Sequence, residues 1–220
     1  MLDVLEATIG RSGRVLDLGC GPGSLSLRIL RRFPRMRVVA VDYDPVVLKI
    51  GQGALGSFGG RLTWVDAKIG SPGWTRSLPR GKFDAAVSTT ALHWLTPSNL
   101  RRLYRDLYPL LRSNGVFLNG DRIPWGTENA QLHHLAGRIS KLWRLRNVRG
   151  SGAWRQWWRD AARVPELKAS FSEHRRRQAQ HPKVLTPSVN DQIRALRRAG
   201  FPTAAVVWQI VEDRVLLAQR

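Results

Sequence analysis

The chain has 220 residues, 36 of them Lys or Arg against 16 Asp or Glu, for a formal charge of +20. That length suits one domain with a full core, and a hydrophobic content of 43% is ordinary for a globular protein. No apolar run reaches the length of a membrane span and residues 1–10 lack a leader pattern, so a cytoplasmic protein with no membrane partner is expected. Cys20 is the one cysteine, which excludes an internal disulfide and a thiolate metal cluster. The basic residues are six lysines and thirty arginines spread along the chain, with one dense run at Arg175, Arg176 and Arg177. A compositional bias and a phosphate-binding face both account for that pattern, and nucleic acid is the less favoured partner.

Leu2 to Ile9 reads as a short helix with Leu2, Leu5 and Ile9 on one face. Arg11, Ser12 and Gly13 then turn into a first strand, Arg14 to Leu18. Gly19, Gly21 and Gly23 follow at alternate positions, and an apolar-periodic stretch from Ser24 to Phe33 reads as a helix. Glycine is needed there because the chain reverses tightly and a ligand must approach bare backbone, faced by the amides that open the helix. Ser24 stands where a dinucleotide-binding turn carries its third glycine.

With Asp17 at the strand end the pattern is D-x-G-x-G-x-G, which resembles the first motif of the class I S-adenosylmethionine-dependent methyltransferases. The resemblance implies an α/β fold: a three-layer, Rossmann-like, seven-stranded and mostly parallel sheet with an antiparallel C-terminal strand and a helical insertion after strand five. It implies S-adenosyl-L-methionine as cofactor, held at Asp17, Gly19, Cys20, Gly21 and Gly23, with Cys20 a small packed side chain rather than a nucleophile. The family usually carries more helical cover ahead of the first strand. That stretch is short here, which leaves the cover to another part of the chain, to a second chain or to sequence ahead of Met1.

The second strand is Arg37 to Val41. Asp42 ends it about 20 residues past the glycines, where a carboxylate can accept both ribose hydroxyls, and Tyr43 is placed along the adenine. Asp44 suits the N-cap of a helix that starts at Pro45, and Gly51, Gly53, Gly56, Gly59 and Gly60 predict that this helix is short or loosely held. Arg61 to Val65 is the third strand. By the resemblance, Asp66 takes the exocyclic amine of adenine and the Ala67 amide a ring nitrogen. After a loop at Ser71 to Arg80, Lys82 to Ser88 is the fourth strand, and Thr89 to Leu95 lies at the sheet edge where open α/β sheets bind ligands. That segment resembles the fourth motif of the small-molecule, trans-aconitate-type branch. It implies Thr89 and Ala91 near the methionine part of the cofactor, with His93 and Trp94 facing the substrate. Imidazole exchanges protons near neutral pH, so His93 is read as a general base or as a packed structural histidine.

Pro97 to Leu111 reads as a helix with Gly115 as its left-handed cap, and Val116 to Asn119 as the fifth strand. The whole chain, 1–220, is expected to be a single methyltransferase domain in which 123–185 is a helical substrate cover. The cover holds two helical stretches, Asn129 to Arg146 and Ala153 to Arg176. Trp154, Trp157 and Trp158 share a helix face there and either line a substrate pocket or pack the insertion onto the sheet. His133 and His134 are adjacent and so cannot share a face, and no metal site is expected. A helix from Gln192 to Ala199, opened by Thr186, Pro187 and Ser188, and a hairpin from Thr203 to Ala218 complete the sheet.

The expected activity is methyl transfer to a small molecule, most simply at oxygen or carbon, by a monomer or homodimer. The alternatives are an RNA or protein methyltransferase using the basic surface, and a non-catalytic cofactor-binding scaffold.

Overall fold

A computed structural model describes residues 1–146, 152–178 and 184–220. Seven strands, β1 (Ser12–Leu18), β2 (Arg35–Asp42), β3 (Leu62–Asp66), β4 (Phe83–Thr89), β5 (Leu111–Arg122), β6 (Thr203–Ile210) and β7 (Asp213–Gln219), form one sheet in the order β3-β2-β1-β4-β5-β7-β6. The first five are parallel, and β7 runs antiparallel to both of its neighbours. The architecture expected from the sequence is the one observed.

Both faces of the sheet are buried, and alternate side chains of each strand divide between them. Val15, Val38, Ala40, Ala85, Val87, Val116 and Leu118 point to one face. There they meet Leu5 of α1 (Leu2–Ile9), Ile29 of α2 (Ser24–Arg32) and Leu48 of α3 (Pro45–Leu55). Leu16, Val39, Val41, Ala86 and Phe117 point to the other, against Leu103, Tyr104 and Leu107 of α4 (Pro97–Leu110) and Leu196 of α8 (Val189–Arg198). The Tyr104 hydroxyl keeps its one polar atom satisfied in that core by donating to Gln192 Oε1 at 2.8 Å.

Between β5 and α8 lie α5 (Ala130–Arg146), α6 (Ala153–Ala161) and α7 (Lys168–Gln178). The second expected helix of this insertion is two: the chain turns after Ala161 and re-enters through a short 3₁₀ turn at Pro165–Leu167. The break spans Ala162 to Val164, and Pro165 keeps the chain from continuing straight on, because proline has no amide to donate and its ring disfavours helical backbone at Val164, which is extended. The insertion is pinned at one end by Glu212 of the β6–β7 turn. Its buried carboxylate accepts from His133 Nδ1 at 2.7 Å, from Arg122 at 3.2 Å and from the Trp125 amide. Burial pushes that carboxyl up, but these donors hold it below its ordinary value.

Two local expectations are corrected. Helix α3 is not cut short by its glycines: it runs through Gly51 and Gly53 to Leu55, 11 residues in all. Gly51 is there for close approach, since a Cβ would lie 2.4 Å from Trp64 Cη2 and 2.9 Å from the Pro22 carbonyl oxygen of the glycine loop. Gly51→Ala therefore destabilises the fold by about 1–3 kcal/mol, the usual cost of overpacking, which chemical denaturation measures. The turn after α4 is likewise made differently. Asn114, not Gly115, takes the left-handed backbone, at φ 63°. A Cβ on Gly115 would lie 2.8 Å from the Arg112 carbonyl oxygen.

Candidate functional site

The strand order reverses direction between β1 and β4, and a cleft at that switch point, beyond the carboxyl ends of the strands, is where doubly wound sheets take ligands. A cavity of ≈ 900 Å³ opens there. On the β1–β2 side it is lined by Gly19, Cys20, Gly21, Asp42 and Tyr43, and on the β4 side by Thr89, Ala91, His93 and Trp94. Trp154, Trp158, His174 and Arg177 of the insertion also line it. Pockets that enclose a small ligand run from about 300 to 1,000 Å³, so this one has room for two.

The loop after β1 is built from left-handed backbone. Gly19, Gly21 and Gly23 have φ of 67°, 54° and 87°, which side-chain-bearing residues rarely adopt. A Cβ on Gly19 would lie 2.4 Å from Ala91 Cβ, whereas at Gly21 it would meet nothing within 4 Å. The first glycine thus brings β1 and β4 together, and the second leaves bare backbone facing open space. Helix α2 begins at Gly23 without a side-chain cap, so its first amides remain available beside Ser24 and Leu25, which line the cavity. Such a cradle fits the polar methionine end of S-adenosylmethionine. Cys20 packs beneath it; burial pushes its thiol well up, and so it is no nucleophile.

Asp42 holds this loop together. One carboxylate oxygen accepts from the Gly21 amide at 2.8 Å; the other accepts from the Tyr43 and Asp44 amides at 2.7 and 2.9 Å. Desolvation pushes the Asp42 carboxyl up while these amides pull it down. A carboxylate has about four acceptor positions. Three are occupied, which leaves room for one ribose hydroxyl rather than the two expected. Asp44 caps α3 as read from the sequence, accepting from the Val46 amide at 2.9 Å, and its second oxygen accepts from His174 Nδ1 at 2.9 Å.

Four of the expected cofactor residues stand outside the cavity lining: Asp17, Gly23, Asp66 and Ala67. Asp17 is 1% exposed and accepts from the Ser26 hydroxyl at 2.6 Å, tying β1 to α2. A Cβ on Gly23 would lie 2.7 Å from Trp64 Cη2, so this glycine faces the ring rather than a ligand. The Ala67 amide donates to the Asp42 carbonyl at 2.9 Å. Asp66 receives both arms of Arg177, at 2.8 and 3.0 Å, and the guanidinium lies 4.5 Å from the centre of the Tyr43 ring. The third residue of the Arg175–Arg177 run is therefore a clamp between α7 and the β2–β3 edge. The ion pair with Asp66 and the hydrogen bond to Glu173 keep Arg177 firmly protonated against its partial burial.

On the opposite side, Thr90 adopts a left-handed φ of 50°, an unfavourable conformation for a β-branched residue, and its amide donates to the Gly120 carbonyl at 2.9 Å. The turn that follows, Leu92–Trp94, brings His93 onto Asp121. The His93 amide donates to Asp121 Oδ2 at 3.1 Å, and ring Nδ1 lies 2.9 Å from Oδ1. A carboxylate can only accept, so Nδ1 carries a proton, and in the neutral ring the lone pair is then on Nε2. Asp121 is 5% exposed. Its part is new: the sequence reading gave it no role in the site. Of the tryptophans on α6, Trp154 and Trp158 line the cavity; Trp157 does not, and stacks on Trp154 with ring centroids 5.1 Å apart.

A family model for the methyltransferase domain matches residues 15–115. An uncharacterised methyltransferase of Mycobacterium tuberculosis is 42% identical over 91 residues, covering 40% of this chain and 42% of that protein. Trans-aconitate 2-methyltransferase of Streptomyces coelicolor is 27% identical over 230 residues, covering 87% of this chain and 71% of that one. Among solved structures, an O-methyltransferase family protein from Burkholderia thailandensis superposes with a TM-score of 0.63 at 19% identity, over all of this chain and 55% of that one. The chain thus spans well under two thirds of the mycobacterial relative and about half of the Burkholderia protein. The glycine loop, the acid that ends β2 and the strand order thus stand beside these likenesses: residues 15–115 match the methyltransferase domain, and the chain as a whole is similar in fold to S-adenosylmethionine-dependent methyltransferases.

Proposed function

We propose that this protein transfers a methyl group from S-adenosylmethionine to a small-molecule acceptor, at oxygen or carbon, inside the cavity at the β1–β4 switch point. The observation that carries the reading is the joining, in one cavity, of a bare glycine cradle at one side and a His93–Asp121 pair at the other. The cofactor supplies an electrophilic methyl group on sulfur. Gly19, Cys20, Gly21, Thr89 and Ala91 hold its methionine end, and Asp42 takes one ribose hydroxyl. Tyr43, with Lys68 5.2 Å and Arg177 4.5 Å from its ring centre, lines the cavity on the side where the adenine would lie. Positioning two reactants in line supplies up to ~7–11 kcal/mol of the barrier, more than one base contributes. His93 removes the acceptor's proton, and Asp121 orients it.

Residues 123–185 act as the substrate cover, in which Trp94, Trp154 and Trp158 are the rings offered to the acceptor. Tryptophan faces of this kind suit a small apolar body better than a polymer, as do the cavity's dimensions. The Streptomyces relative's name likewise gives it a small-molecule acceptor. The one thiol is buried and unreactive, which suits the reducing cytoplasm as the site of action.

Calorimetric titration with S-adenosylmethionine, followed by a labelled-methyl assay on a fractionated cell extract, tests the proposal. Label is expected in the small-molecule fraction. Label confined to RNA or protein, with a salt dependence that reports phosphate contacts, would overturn it. Asp42→Ala removes the common acceptor of three loop amides and lowers cofactor affinity at least about tenfold, the loss of one hydrogen bond to a charged group. Unchanged affinity would remove Asp42 from the site.

A further inference from the structure

The acceptor's chemical class follows from where the cavity keeps its charges. Two cationic side chains line it, Lys68 and Arg177, and both gather, together with His174, on the β2–β3 side. Arg177 is engaged with Asp66 and Glu173, His174 with Asp44, and Lys68 lies 5.2 Å from the centre of the Tyr43 ring. His93 and Asp121 follow β4 and β5 instead. Since β1 and β4 intervene between β2 and β5, the two sides stand three strand spacings apart, about 14 Å. Among the described residues, the lining of the His93 side is Thr89, Thr90, Ala91, Trp94, Leu95, Thr96 and Asn99, with no Lys or Arg. An acceptor carboxylate placed there would be buried without a cationic partner, which is costly.

The His93–Asp121 pair points the same way. A carboxylic acid with a pKa near 4 is already ionised at neutral pH and has no proton for a base to take. A phenol, at about 10, is protonated and lies far closer to imidazole than a water-like hydroxyl at about 15.7. The His93 side is also aromatic: Trp94, 63% exposed, has its ring centroid 5.1 Å from that of His93, while Trp158 of the insertion lies 5.1 Å from His174 on the other side. Indole faces hold flat rings by stacking.

We infer that the acceptor is a neutral phenolic hydroxyl carried on a flat aromatic body, a deepening that rests on the methyltransferase reading above. In the step, the phenol proton passes to His93 Nε2 as an oxygen lone pair forms the new C–O bond. The electrons of the broken C–S bond stay on sulfur, and the imidazolium returns its proton to solvent.

The test uses the full chain saturated with S-adenosylhomocysteine, and 2-naphthol and 2-naphthoate as shape-matched probes. 2-Naphthol is expected to quench the tryptophan fluorescence with an affinity at least about tenfold above that of 2-naphthoate, one uncompensated charge being worth more than 1.4 kcal/mol. Bound 2-naphthol is also expected to develop its naphtholate absorption band below the pH at which it ionises in water, and His93→Gln to abolish the band while quenching persists. With labelled S-adenosylmethionine, 2-naphthol gains the methyl group and 2-naphthoate does not. Preference for 2-naphthoate in binding or methylation overturns the phenol assignment while leaving the methyltransferase standing, and so does binding of neither probe by protein that binds the cofactor. Failure to bind S-adenosylmethionine at all is a different result, and removes the function itself.

Discussion

Asp121→Asn is expected to slow methyl transfer about 10²–10⁴-fold, the range attributed to a positioned general base, and to leave affinity for S-adenosylmethionine unchanged. Asp121 presents two acceptors to one residue, taking the His93 backbone amide on Oδ2 and ring Nδ1 on Oδ1. Asparagine has a single acceptor oxygen. If that oxygen keeps the backbone amide, the side-chain NH₂ group faces Nδ1, which must then accept, and the imidazole proton moves to Nε2. The ring stays in place, but the nitrogen left for the substrate now carries the hydrogen. A fall in kcat with KM little changed is the signature of such a loss. The double variant should be no slower than His93→Gln alone, because two residues acting as a unit are not additive. A fully additive double variant, or a loss confined to KM, would reduce the pair to a structural contact.

The pair also marks the limit of what the sequence gives away. The glycine loop, the strand alternation and the Asp44 cap are local, and each was legible because its signal lies within a few residues of its effect. His93 could be named as a candidate because it stands two residues past Ala91 in a recognisable segment. Its partner could not, since Asp121 lies 28 residues on and meets it only through the β4–β5 register that sets Thr89 opposite Gly120. Arg177 and Asp66 are 111 residues apart. Motif order alone assigned Asp66 to adenine, whereas the packing of α7 gives its carboxylate to a guanidinium. Gly51 misled for a related reason: propensity argues for ending a helix there, and the indole of Trp64, from a neighbouring strand, is what requires the missing side chain. The period-two pattern is dictated by burial and survives without tertiary knowledge. Contacts between distant polar groups do not.

Asp17 carries the second large effect, on stability rather than rate. It is fully enclosed between β1 and α2, and desolvation pushes its carboxyl up to about 7 despite the bond from Ser26 and the neighbouring charge of Asp42 acting in opposite directions. In the unfolded chain the same group titrates near its ordinary value of 3.8. Between those two values the unfolded chain has released a proton that the folded protein retains, so folding takes up a proton and stability falls as pH rises. The cost is absent below pH ~4, grows through the window and is complete above pH ~7. A separation of about three units at ~1.4 kcal/mol each gives a cost of roughly 4 kcal/mol, an upper figure for a group whose surroundings can relax. Asp17→Asn keeps an oxygen for Ser26 without a charge to bury. Its denaturation free energy should decline less between pH 4 and pH 7 than the parent's, and at pH 7.5 or above the variant should be the more stable protein. Parallel curves for the two proteins would mean that Asp17 is ionised in the fold. The glycine loop would then rest on a buried carboxylate, and the acid of the D-x-G-x-G-x-G pattern would act on the loop through its charge rather than through a protonated carboxyl that anchors the start of α2.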